Sequence, residues 1–170
     1  MNTVDVLEYG HATIMTAVNE LENNAWNTPG VCGIWSAKDI LAHLTSFEYL
    51  LIDVLHTASG GIHTPTLDRW MRDQEAFNDF EVGLRQSMSA QEILREYQDV
   101  HLETIGQIVQ IPPEKLRQKS TLAWYGAEYD IEDFIVYTFY GHKREHAAQI
   151  AAFRERLKAE SRWKISAIPA

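Results

Sequence analysis

An unbroken helical stripe near the C-terminus constrains this chain more than any other feature. Ile131, Phe134, Ile135, Thr138, His142, His146, Ile150, Phe153 and Leu157 recur three or four residues apart, the period of one face of an α-helix. Asp130 can cap its start, and Glu132 and Asp133 suit the positive end of the helix dipole. The spacing predicts a helix from Asp130 to about Lys158, about 40 Å long at 1.5 Å per residue. His142 and His146 fall inside the stripe, so both point inward, with Cβ atoms about 5–6 Å apart. Lys143, Arg144 and Glu145 fall mostly on other faces.

The remainder of the chain repeats the same period. Thr3 can cap a first helix to about Asn24, with Val4, Leu7, Ile14, Val18 and Leu21 as its stripe and His11 within it. A cluster of Asn, Pro29 and Gly30 ends it, and Trp26 and Trp35 in the following loop suit the end of a bundle. Ser36 and Asp39 resemble a capping box for a second helix to about Ala58, with Ile40, Leu44, Phe47, Leu51 and Val54 on one face and His43 beside it. Ser59-Gly60-Gly61 stops that helix. The polar segment Leu67 to Gln86 is a helical cover that breaks in its middle. Ser89 and Glu92 form a second capping box, opening a helix to about Ile111 on a stripe of Leu94, Tyr97, His101, Ile105 and Ile108. Pro112-Pro113 terminates it. Strand-like alternation is absent. The expected fold is all-α: a four-helix bundle with a long crossover between helices 2 and 3 that carries a short extra helix. Residues 1–170 form one domain, with the tail from about 160 loosely packed.

Composition narrows the partners. A net charge of −9 across 170 residues argues against nucleic acid, whose phosphates call for a Lys/Arg surplus. No apolar run approaches the ~20 residues of a membrane span, and the first residues meet acid before any apolar run, unlike a signal peptide. Cys32 is the sole cysteine, so a disulfide within the chain and an all-cysteine metal site are excluded. The expected setting is the cytoplasm, and the expected partner a small-molecule substrate.

Five of the seven histidines lie on or beside inferred core stripes. An inward imidazole needs a partner, because an unpaired buried polar group costs about 1–3 kcal/mol. His11 and His101 read as core groups bonded to protein or as the lining of a cavity. His56 and His63 read as surface residues. His142 and His146 compete for the same partners, and a shared metal ion would satisfy both. Trp124 and Tyr125, just before the last helix, either line a pocket mouth or plug the bundle end. Glu48 reads as either a neighbour of the site or a surface group.

Two segments resemble a known family. WSAKDILAHL around His43 and YGHKREHAAQIAAF around His142 and His146 resemble the signature segments of the DinB-like (DinB/YfiT-like) superfamily of four-helix-bundle metalloenzymes, from the first helix to about Leu157. WSAKD, Phe77-Asn78 and HKREH also resemble the ClbS/DfsB-type proteins of that superfamily. The resemblance implies a metal triad of His43, His142 and His146 for a divalent ion of the nickel, zinc or iron kind. It implies a metal-dependent hydrolase, or a transferase using a low-molecular-weight thiol, acting on a small electrophilic molecule. The ClbS/DfsB likeness implies instead a protective protein that binds or inactivates a reactive molecule without needing the metal, with Trp124 and Tyr125 in the cavity lining; His11 and His101 are the further candidates for a substrate pocket. It also implies pairing into a homodimer.

Overall fold

A computed structural model describes residues 2–166 of the chain. Among these residues the regular structure is helical and contains no strand, apart from an isolated bridge between Cys32 and Trp35. The long helices are α1 (Thr3–Asn19), α2 (Ala37–Ala58), α5 (Ala90–Ile108) and α8 (Gly141–Ser166). Shorter ones are α3 (Pro65–Arg72), α4 (Gln74–Leu84), α6 (Pro113–Leu116) and α7 (Ile131–Phe134). No helix among the described residues is long and apolar enough to cross a membrane.

Local chemistry sets most boundaries. Ser36 with Asp39, Ser89 with Glu92, and Asp130 with Asp133 each form a reciprocal capping box, satisfying two backbone donors that a helix start leaves free. The polar cover splits at Asp73, whose side chain accepts from the Ala76 amide and caps α4. Several helix ends differ from the sequence reading. Helix α1 stops at Asn19 and is followed by a separate 3₁₀ turn, Asn23–Ala25, because Asn competes with the helical backbone for its own hydrogen bonds. Its N-cap is Asn2, leaving the Thr3 hydroxyl to donate to Glu132 Oε1 at 3.0 Å. Helix α5 ends at Ile108, ahead of the residue that Pro112 bars from helical geometry. At the far end, α8 continues to Ser166 with Glu160 to Trp163 exposed; residues 167–170 of the expected loose tail lie outside the described residues.

The apolar core divides in two. One cluster joins Ile14 and Val18 of α1, Ile40 and Leu44 of α2, Ile93 and Tyr97 of α5, and Ile150 and Phe153 of α8. The other joins Leu7, Leu51, Val54, Ile108, Phe134 and Phe139. Helices α2 and α5 both run from the first cluster to the second, while α1 and the α7–α8 rod run the opposite way. Two parallel neighbours need a connection that returns along their length, and α3 and α4 lie on that path. Between the clusters sits a layer of buried polar side chains: His43, Ser46, Glu48, His101, Thr104, Lys143 and His146.

The last helix departs from regular geometry. Ile135–Tyr140 forms a π-helical stretch between α7 and α8, a form that concentrates at functional sites. The wider turn shifts the inward face by one residue. Phe139 and Lys143 are buried, while Thr138 and His142 are half-buried. The sequence reading placed Lys143 on an outer face. It is 2% exposed, because a strict 3.6-residue period does not hold through this segment.

Two substitutions test these assignments by chemical denaturation. Ser36→Ala removes a cap and lowers stability by about 1 kcal/mol. Leu51→Ala opens a cavity in a fully buried position and lowers it by about 2–5 kcal/mol.

Candidate metal centre

The polar layer brings the three expected ligands together. His43 comes from the middle of α2, and His142 and His146 from the first two turns of α8. His142 Nε2 lies 2.9 Å from His43 Nε2 and 2.9 Å from His146 Nε2. All three ligand nitrogens lie within 4.8 Å of one another. Nitrogens bound to one ion at about 2.0–2.1 Å are at most about 4.2 Å apart, and about 2.9 Å apart when the bonds meet at a right angle. The two short separations fit; the outer pair, up to 4.8 Å apart, must close by about half an ångström even for nitrogens on opposite sides of an ion, and by more than about one ångström for a tetrahedral ion.

Proton bookkeeping also favours a cation. A neutral ring nitrogen carries either a hydrogen or an in-plane lone pair. His142 Nε2 therefore cannot donate to one neighbour and accept from the other, so its two 2.9 Å contacts are not both ordinary two-centre hydrogen bonds. A shared metal ion resolves both. Gln149 reinforces this. Its Oε1 lies 2.8 Å from His146 Nδ1, and its Nε2 donates to Glu145 Oε1. His146 thus donates from Nδ1 and presents Nε2 with its lone pair free, the arrangement in which an outer partner orients a metal ligand.

The surroundings keep the triad neutral. Burial first, then the neighbouring imidazoles, hold His43 down to about 2. Burial, His146 and the charge of Lys143 hold His142 at about 3. His146 is also lowered by burial, opposed by its bond to Gln149. Neutral imidazoles are the ligand form. His142 retains some exposure, and aromatic rings pack against the triad. The Trp35 ring centroid lies 5.1 Å from that of His43, and Phe47 lies 4.8 Å from His43 and 4.7 Å from His142. Trp35 reaches the site through a tight turn: the amides of Gly30, Val31 and Cys32 all point at its carbonyl. Gly30 and Gly33 supply the positive φ the turn requires. Arg156 of α8 donates to Gly30 O at 2.8 Å, pinning this loop to the ligand-bearing helix.

The other expected residues lie elsewhere. His11 and His101 stack on each other, with centroids 3.9 Å apart and planes within 6°, beside Tyr97 and away from the triad's ring contacts. Burial, followed by His101 and Lys143, lowers His11 to about 3. Trp124 and Tyr125 join an aromatic cluster with Trp70 and Phe134 in the second core. Sequence reasoning missed Gln149, although its place three residues after His146 was a usable helical signal. It also missed Lys143 and left Glu48 undecided. Glu48 is completely buried and pairs with Lys143.

Compared with curated proteins and with solved structures, the chain has no match. A family model described as the DinB superfamily matches residues 7–150, the stretch that carries all three histidines, and the chain therefore belongs to the DinB superfamily.

Proposed function

We propose that this protein is a metal-dependent enzyme acting on a small electrophilic molecule, as a hydrolase or as a transferase that uses a low-molecular-weight thiol. The observation that carries the reading is the convergence of three imidazole nitrogens within 4.8 Å of one another, with a pair of 2.9 Å contacts at His142 Nε2 that two ordinary hydrogen bonds between neutral imidazoles do not supply. In this reading α1, α2, α5 and the α7–α8 rod are the four members of a bundle, and α3 with α4 is its crossover. His43, His142 and His146 hold a divalent ion of the nickel, zinc or iron kind.

When bound, such an ion polarises a carbonyl, lowers the pKa of a bound water towards about 7, or holds a thiolate. Three protein ligands leave positions open, as in catalytic rather than structural sites. Gln149 fixes the orientation of the His146 ring. Trp35 and Phe47 give the approach an apolar wall, which favours a substrate with an uncharged body and excludes bulk water from the reacting group. Of the carboxylates around the triad, Glu48 is committed to Lys143 and Glu145 accepts from Gln149. A thiol or water as nucleophile would enter at the open ligand positions.

Metal analysis of untagged protein tests the assignment. The wild type is expected to bind one equivalent of divalent metal. His142→Ala should lose more than about a hundredfold in affinity, and Gln149→Leu about 10–100-fold. Substoichiometric metal that is indifferent to His142→Ala would overturn the assignment. Small-molecule binding retained by the His43→Ala/His142→Ala protein would point to a protective binder.

Acid should destabilise the metal-free protein through the same residues. Between about pH 6.5 and 3 the unfolded chain protonates histidines that the native state keeps neutral. The unfolded state then binds more protons, so stability falls as pH falls below about 6.5. Each such proton contributes about 1.4 kcal/mol per pH unit. Denaturation midpoints at pH 7 and pH 5 should differ less for His43→Phe than for the wild type.

A further inference from the structure

Beside the triad lies a second buried construction that the metal reading does not use. Lys143 of α8 reaches the carboxylate of Glu48 on α2; the two side chains are 2% and 0% exposed. The route is prepared by four other groups. On α1, Gly10 leaves room for the lysine stem, since a Cβ there would stand 3.2 Å from Lys143 Cδ. On α5, the Tyr97 ring lies under the ammonium, 5.8 Å from its centroid. Thr104, also on α5, donates to Glu48 Oε2 at 3.0 Å, and His101 Nδ1 stands 3.6 Å from Glu48 Oε1. All four long helices thus converge on one ion pair.

Its position in the chain gives the pair a task. Lys143 directly follows His142 and begins where the π stretch Ile135–Tyr140 hands over to α8. A π turn inserts one residue and rotates everything after it by about 100° relative to an α-helix. An α-helical register through this segment would turn Lys143 away from Glu48. Helix α2, which carries Glu48, also carries His43, whereas α2 packs mainly on α5 and touches α8 sparingly. Helix α8 and the π stretch pack mainly on α1, so direct packing between the two ligand-bearing helices contributes little to their mutual rotation.

We propose that the Glu48–Lys143 ion pair is a register lock, a positioning device that holds the π-shifted helix in the one rotation that brings His142 and His146 onto His43. The two residues touch neither substrate nor metal; they act through the imidazoles. Desolvation makes a buried ion pair a poor source of stability, and neutral replacements of similar volume are often tolerated. A purely structural pair and a register lock therefore predict different results.

The inference rests on the metal reading for its function but not for its geometry, and the experiment separates the two. Glu48→Gln/Lys143→Met removes both charges at nearly constant volume. The double variant should keep the helical content and melting temperature of the wild type, yet bind Ni2+ at least tenfold more weakly in calorimetric titration. Its crystal structure should show His142 Nε2 withdrawn from His43 Nε2. A folded double variant that binds Ni2+ within twofold of the wild type and keeps the 2.9 Å spacings overturns the lock. Should the double variant fail to fold, Gly10→Ala presses on the lysine stem alone. A two- to fivefold weaker Ni2+ affinity is then expected, and an unchanged affinity refutes the proposal. If the wild type binds no Ni2+, the metal reading falls by itself, and the crystallographic spacing in the variants still decides whether the pair sets the register.

Discussion

The ion pair between Glu48 and Lys143 governs the middle of this molecule. A carboxylate with no exposure at all is tolerable only with a partner charge and further hydrogen bonds. Burial pushes the Glu48 carboxyl up, but Lys143 and then His101 pull it down to about 2. The group therefore stays ionised, and Lys143 and the Thr104 hydroxyl must remain beside it. That demand reaches every long helix: Gly10 on α1 must stay small, Thr104 and Tyr97 must face inward on α5, and α8 must present Lys143 rather than an apolar residue. The apolar core is consequently split into two clusters, with a polar layer between them.

The candidate metal centre occupies the rest of that layer. Apolar packing at both ends, through Leu51 and Phe139 on one side and Ile40 and Ile150 on the other, supplies rigidity without supplying polar partners. The histidines are left to one another and to Gln149. Burial keeps them uncharged, which suits ligation, and the short contacts at His142 Nε2 leave a demand that hydrogen bonding does not meet. Aromatic groups from a loop and a helix, Trp35 and Phe47, complete the surroundings. The same desolvation that disfavours protonated imidazoles also strengthens any charge interaction made inside the site.

Much of this was legible beforehand, for definite reasons. Capping boxes are local, so Ser36, Ser89 and Asp130 mark helix starts without knowledge of the tertiary fold. Helical periodicity placed His142 and His146 inward because one face of α8 is apolar over several turns. The family likeness, and not the spacing, brought in His43, since nothing in a sequence measures a distance between residues 99 positions apart. Trp35 was expected at a bundle end, and the Gly30–Trp35 turn carries it instead to the triad. Trp124 and Tyr125 were left between pocket and plug, and their observed neighbours are Trp70 and Phe134.

By itself, then, the sequence determined an all-helical chain, most of its helix boundaries and two inward imidazoles on one helix, because hydrogen-bonded caps and a 3.6-residue period are properties of contiguous residues. Tertiary structure alone decided the burial of Lys143 and Glu48, the π register of residues 135–140, the stacking of His11 on His101 and the meeting of three histidine nitrogens. Each of these turns on the rotation of one helix against another. A shift of a single residue, about 100° of helix, changes which side chain faces inward while leaving the local sequence signals unaltered.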